Sequence, residues 1–200
     1  MSAMKKPVKA ESPRALRDFL CILICWSIPV LLLRPFQNLP FVDDWVYAWS
    51  VERLLNSGEL KILDISTSAN PVQILWGALF CLPAGFSFVA LRISTWVASV
   101  ICLWGLYQLL RILGVGRAQS FIGTAALACY PVFFILSFTF MTDVPFLALF
   151  VWSSYSLIRY LNDKRPLWLI ASTLLACLAV AVRLTGLPLI AASAITLIRN

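Results

Sequence analysis

The chain has 200 residues, of which 61% are hydrophobic and 12% charged, with a net charge of +7 and no histidine. An average soluble domain carries about 25% charged residues, so this composition excludes a soluble globular domain and predicts a protein whose main solvent is the bilayer. The lack of histidine excludes histidine triads and histidine metal sites. The basic balance does not indicate nucleic-acid binding, because Lys and Arg fall mostly in short connections between apolar runs.

Apolar runs predict six membrane-spanning helices after a basic tail that covers residues 1–18. A spanning helix needs about 20 apolar residues. The predicted spans are 19–33, followed within 88–198 by 88–110, 119–138, 144–161, 167–182 and 187–198. The first run is interpreted as an uncleaved span and not as a signal peptide, because no small-residue cleavage site follows it and more apolar runs do. The predicted fold class is an all-α membrane protein, a bundle of about six transmembrane helices with an outer juxtamembrane loop that carries amphipathic helices.

The basic residues predict the orientation. A cytoplasmic N-terminus places the connections 111–117 and 159–166 in the cytoplasm and the long loop 34–87 outside, which satisfies the positive-inside rule. We therefore expect a multi-pass protein of the plasma (inner) membrane. Residues 71–84 leave an alternative open: we predict a helix at the outer interface because the run is short, but if it crossed, every later connection would change sides.

Acidic residues stand at the predicted outer ends of two helices. Asp43 and Asp44 open an amphipathic helix that ends at Gly58, and Asp143 follows Thr142 where the third span exits. A structural interpretation is available for each, because Asp and Thr cap helix N-termini and carboxylates suit the positive end of the helix dipole. Carboxylates in a partly desolvated place are also candidate chemical groups.

Arg183 lies near the outer end of the fifth predicted span. A charged residue costs about 2.5–3.5 kcal/mol at the centre of the bilayer and less near its surface. Its guanidinium can snorkel to the surface or bind an anion such as a lipid phosphate. In the predicted topology the acids and Arg183 share the outer side, which fits a reaction between a lipid phosphate and a polar acceptor.

This arrangement resembles the GT-C glycosyltransferases, especially the branch of the protein O-mannosyltransferases and the lipid A aminoarabinose transferase. The resemblance covers about residues 15–198 and rests on the order and spacing of several motifs. These are Asp43-Asp44, Arg53-Leu-Leu-Asn-Ser-Gly58, Asn70-Pro71 to Phe80, Ala90-Leu-Arg92, Thr142-Asp143 and Arg183-Leu-Thr-Gly186.

The resemblance implies a transferase that moves a sugar from a polyprenyl-phosphate donor to a lipid, glycan or protein acceptor on the extracytoplasmic side, with inversion. It implies Asp43 as the general base, Asp44 and Asp143 as residues that shape the site, and Arg183 as the group that holds the donor phosphate. No cofactor is expected. Some GT-C enzymes use a divalent ion, which the three acids would have to hold, but the branch resembled here generally does not.

The chain departs from the family pattern at two positions. Asp44 stands where Glu is frequent, which makes its role less defined. Asn70 stands where some relatives have Lys, so one phosphate contact is missing or is supplied by Arg53, Lys61 or Arg92. Because relatives are much longer, the chain is expected to be the N-terminal part of a transferase.

Two other classes of function remain open. In a non-catalytic membrane scaffold or a truncated remnant, the acids would only cap helices. A transporter subunit would carry charged or broken helices at the membrane midplane, whereas here the acids lie at the ends of predicted spans.

Overall fold

The computed structural model describes residues 13–41, 43–62 and 70–199, and within them it contains helices and no strand, as the predicted fold class requires. Most of the predicted basic tail lies outside the described residues. The helices are α1 (Pro13–Leu33), α2 (Asp44–Ser57), α3 (Pro71–Cys81), α4 (Phe88–Ile112), α5 (Arg117–Cys129), α6 (Pro131–Leu136), α7 (Asp143–Asp163), α8 (Pro166–Val182) and α9 (Leu187–Ile198), with a 3-10 turn at Leu184–Gly186.

Two helices of the described residues, α4 and α7, are long and apolar enough to cross a membrane. The other apolar helices are shorter: α3, α8 and the segment Leu184–Ile198. In α1, Arg14, Arg17 and Asp18 occupy the first turns, and the apolar segment that remains is shorter than the roughly 20 residues a span needs. The count of six spans therefore stays a prediction.

The predicted third span, 119–138, is not one continuous helix. The structure breaks it into α5 and α6 at Tyr130, whose backbone is extended (φ −66°, ψ 121°). Pro131 explains the break, because a proline disfavours helical geometry in the residue before it and lacks the N–H that would continue the helix.

Three apolar clusters organise the packing of the described residues, and the smallest of them joins α7, α8 and α9. The largest one joins α1, α4, α5, α6 and α7, with Trp26, Leu103 and Phe133 among its buried side chains. The second one lies between α2, α3 and the start of α4, and Phe140 from the α6–α7 connection is fully buried in it. This second cluster fixes the loop helices α2 and α3 against the connection that leads to Asp143.

Serine hydroxyls join the three C-terminal helices. Ser153 of α7 donates to the carbonyl of Ser172 on α8 at 2.9 Å, and Ser172 lies 3.3 Å from Ser193 of α9. Small residues that let helices approach, with hydrogen bonds across them, are the usual means of helix association in membranes. They hold the middle of α8 against α7 and α9.

Candidate active site

Asp44 begins α2 and its side chain is fully buried. Its Oδ1 accepts the backbone N–H of Phe41 at 2.7 Å, and the backbone N–H of Phe140 also stabilises its charge. Its Oδ2 has no hydrogen-bond partner among the described residues and lies 4.0 Å from Nη2 of Arg92. Burial raises the pKa of the Asp44 carboxyl, against the opposing effects of the backbone N–H groups and of Arg92. Asp44 thus ties the start of α2 to the α6–α7 connection.

Arg92 lies one turn into α4 and is 4% exposed. Its Nη1 donates to the carbonyls of Pro35 (3.0 Å) and Gln37 (2.5 Å), and its Nη2 donates to the carbonyl of Leu39 (2.5 Å). The sequence offered Arg92 as a phosphate contact. In the structure, most of its donors hold the segment between α1 and α2.

Asp143 and Arg183, forty residues apart, form an ion pair in which Arg183 Nη1 donates to Asp143 Oδ1. Asp143 is the first residue of α7, and Arg183 directly follows α8. Both side chains are more than one third exposed. Thr142 stands at the N-cap position but makes no capping hydrogen bond. The main polar partner of the Asp143 side chain is therefore Arg183, and capping does not explain the two residues.

Asp43 occupies the N-cap position of α2, is exposed, and makes no capping hydrogen bond through its side chain. The predicted helix end at Gly58 is confirmed, with the glycine in left-handed geometry (φ 70°). Arg53 lies near that end, roughly 14 Å along the helix from Asp44 at about 1.5 Å per residue. It bonds Glu59 at 2.9 Å, so the structure does not bring it to the acids.

An apolar cavity of about 540 Å³ lies between α3, α4, α7 and α8. At one end it is lined by Pro145 and Val182, which are close in sequence to Asp143 and Arg183; Ile101 and Trp152 also line it. Its polar lining residue is Gln73, which is fully buried. Gln73 Nε2 donates to the Met141 carbonyl at 3.4 Å, whereas its Oε1 has no hydrogen-bond partner in the described structure.

A family model described as dolichyl-phosphate-mannose-protein mannosyltransferase matches residues 70–200. The chain belongs to this family. No curated protein and no solved structure matches the chain. The mannosyltransferase family is membrane-integral and of the GT-C type, and its members use polyprenyl-phosphate-linked sugars, so the expectation of a membrane glycosyltransferase is confirmed at that level.

The mannosyltransferase match includes Arg92, Asp143 and Arg183, whereas the acidic pair Asp43-Asp44 precedes it. The structure nevertheless links the two parts. Phe140, in the connection that ends at Asp143, is buried against α2 and α3, and its backbone N–H stabilises the Asp44 carboxylate. In the part of the chain that the structure describes, no three Cys, Asp or Glu side chains are placed to hold a metal ion.

Sequence reasoning missed Gln73 and the cavity beside it. A signal was available, because Gln73 is the only side chain with an amide, hydroxyl or charged group in Pro71–Cys81. A polar side chain in so apolar a helix needs a partner when it is buried. The cavity itself depends on how four helices approach one another, and a single sequence does not encode that in any local pattern.

Proposed function

We propose that the chain forms the donor side of a membrane glycosyltransferase site that moves a sugar from a polyprenyl phosphate to an acceptor hydroxyl or amine. The observation that carries the proposal is the Asp143–Arg183 pair beside one end of an apolar cavity. A lipid phosphate needs a cation for its head and apolar lining for its chain, and both occur here within a few residues. The site is proposed to face the extracytoplasmic side.

In the proposed reaction, Asp43 removes a proton from the acceptor, whose oxygen or nitrogen attacks the anomeric carbon opposite the phosphate. The bond between that carbon and the phosphate oxygen breaks, its electron pair leaves with the phosphate, and the configuration inverts. Arg183 stabilises the charge that develops on the phosphate. The exposure of Asp43 and its free N-cap position leave its carboxylate available for this task.

Asp44 and Arg92 are proposed to act through the backbone. Their contacts with Phe41, Phe140 and the carbonyls of residues 35–39 favour this role, because both side chains are buried and engaged with the chain. They would hold Asp43 at a fixed distance from the segment that carries Asp143. A precise arrangement of this kind is what a positioned base requires.

Replacement of Asp43 by Asn tests the base. Because Asp43 is exposed and its side chain makes no capping hydrogen bond, the variant should reach the membrane at the normal level while its turnover falls about 10²–10⁴-fold. The measurement is the release of lipid phosphate from a polyprenyl-phosphate-linked sugar in membranes that carry the protein. Glu52→Gln is the matched control, since it removes an exposed carboxylate from the same helix. Turnover retained in Asp43→Asn would remove Asp43 as the base and favour the scaffold alternative.

A further inference from the structure

Asp143 already pairs with Arg183, the residue that is proposed to hold the donor phosphate. We infer that Asp143 is a resident counter-ion of Arg183 and that the lipid phosphate binds by displacing it. This inference rests on the proposed function. It gives Asp143 a specific task, exchange with the ligand, where the sequence offered only a general role in shaping the site.

Exposure distinguishes Arg183 from Arg92 as the arginine that can change partners. Its side chain is 39% exposed and that of Asp143 is 36% exposed, so a ligand can reach both. Arg92 is 4% exposed and donates to three backbone carbonyls. A phosphate that took Arg92 would have to release the segment between α1 and α2, whereas one that takes Arg183 has only a carboxylate to displace.

The geometry of the pair leaves hydrogen-bonding capacity unused. In the described structure only Nη1 of Arg183 donates to Asp143, so the fork of the guanidinium is not filled. A phosphate can accept two parallel N–H bonds from one guanidinium, and such bidentate pairs are stronger than single contacts. Asp143 also stands at the N-terminus of the 21-residue helix α7, where the helix dipole favours an anion. The same place therefore suits a phosphate once the carboxylate has moved.

The exchange has a consequence for the reaction cycle. The donor phosphodiester carries one negative charge, and the lipid monophosphate left after transfer carries about 1.5 to 2 at neutral pH. Arg183 therefore holds the product more strongly than the donor. When the Asp143 carboxylate pairs with Arg183 again, it assists the release of that product. An acid that competes for Arg183 is therefore compatible with turnover.

Binding of farnesyl phosphate to the purified protein in detergent tests the inference, with farnesol and inorganic phosphate as the two partial probes. Asp143→Asn should bind farnesyl phosphate about three- to fivefold more tightly, the range open to a partly exposed ion pair. It should also bind inorganic phosphate more tightly and farnesol no differently. Arg183→Ala should lose most of the affinity, and the double variant should match Arg183→Ala.

Two further variants control for changes of structure. Asp143→Glu keeps a counter-ion and should bind nearly as the unaltered protein does. Asp163→Asn removes the carboxylate of another Asp–Arg pair, at the opposite end of α7, where Asp163 bonds Arg159 at 2.8 Å. This variant should leave the affinity for farnesyl phosphate unchanged.

The outcomes separate the inference from the proposed function. If Arg183→Ala weakens binding but Asp143→Asn binds no more tightly than the unaltered protein, the exchange is overturned and the phosphate clamp stands. If the unaltered protein binds farnesyl phosphate no better than farnesol, the clamp is overturned and the exchange with it. Tighter binding in Asp143→Asn that disappears in the double variant supports both.

Discussion

The buried charged groups near the two ends of α4 differ in how fully they are hydrogen-bonded. Near Tyr107, roughly 22 Å along the helix from Arg92 at about 1.5 Å per residue, the carboxylate of Asp18 is fully engaged. Its Oδ2 accepts from Tyr107 (2.9 Å) and from Nε of Arg117 (2.6 Å), and its Oδ1 accepts from Nη2 of Arg117 (2.5 Å). Near Arg92, the described structure leaves Asp44 Oδ2, Arg92 Nε and Gln73 Oε1 without hydrogen bonds.

The contrast distinguishes a structural cluster from a candidate chemical one. Buried polar atoms are nearly always hydrogen-bonded, so unsatisfied groups in one place require a reason. Departures from this rule concentrate at functional sites. The Asp18 carboxylate is satisfied by Tyr107 and Arg117, whereas the end that contains Asp44 combines unused donors and acceptors with an ion pair open to exchange.

Arg92→Met should produce the largest loss of stability. It removes three hydrogen bonds to the segment between α1 and α2 and leaves Asp44 buried without its nearest cation. Removal of one partner from a buried pair costs about 3–5 kcal/mol. Thermal unfolding in detergent measures the loss, and limited proteolysis within residues 34–41 should accelerate.

Two variants sharpen this result. Asp44→Asn combined with Arg92→Met removes the stranded charge and should recover part of the stability. Arg111→Met, at the other end of α4, removes one bond to the Val115 carbonyl and should cost about 1 kcal/mol. Equal losses in Arg92→Met and Arg111→Met would show that Arg92 does not organise its end of the molecule.

Local sequence patterns predicted helices well but paired groups poorly. The bounds of α2, with its Gly58 end, and the all-helical class follow from periodicity, capping residues and composition. Pro131 encodes the break at Tyr130, but the long apolar run led to the prediction of one continuous span. The partners of Asp44 and Asp143 could not be derived, because Arg92 and Arg183 are tens of residues distant and either arginine could have faced a lipid headgroup.

Gly77→Ala should cause an intermediate loss of stability, because Gly77 lies at the contact between α3 and the α6–α7 connection. A Cβ at this position would lie 2.4 Å from Cζ of Phe140 and 2.9 Å from Cδ2 of Leu91. Overpacking of this kind typically costs about 1–3 kcal/mol. Because the backbone of Phe140 stabilises the Asp44 carboxylate, a displaced ring should also reduce transfer activity.

Gly123→Ala is the matched control, since its Cβ would meet only the end of the flexible Leu110 side chain at 3.3 Å. It should change both the melting temperature and the transfer rate little. The pair Gly77→Ala and Phe140→Leu should restore space and part of the stability. If Gly77→Ala is as stable and as active as Gly123→Ala, the close approach of α3 to Phe140 does not determine the geometry of the site.

The smallest expected effect concerns pH. Asp18 lies just before the apolar segment of α1. Arg117 and the Tyr107 hydroxyl lower the pKa of its carboxyl from 3.8 to about 2. The folded protein therefore binds fewer protons at Asp18 than the unfolded chain does within that window. The stability that Asp18 contributes is complete above pH 3.8 and is lost as the pH falls toward 2. The pH dependence of stability that comes from Asp44 has the opposite sign, because burial raises the pKa of its carboxyl. The stability that Asp44 contributes is present at low pH and is lost as the pH rises above 3.8.

Melting temperatures of the unaltered protein and of Asp18→Asn between pH 2 and pH 7 test this contrast. Asp18→Asn should melt about 2–4 °C lower at pH 7, a modest difference because the Arg117 side chain is 41% exposed and its charge is screened. The difference should shrink as the pH approaches 2. In Asp44→Asn, whose side chain is neutral at every pH, the melting temperature relative to that of the unaltered protein should instead rise from pH 2 to pH 7, as the Asp44 carboxyl ionises. A deficit in Asp18→Asn that persists at pH 2 would mean that Asp18 acts through packing, and the two ends of α4 would then not differ in how they hold charge.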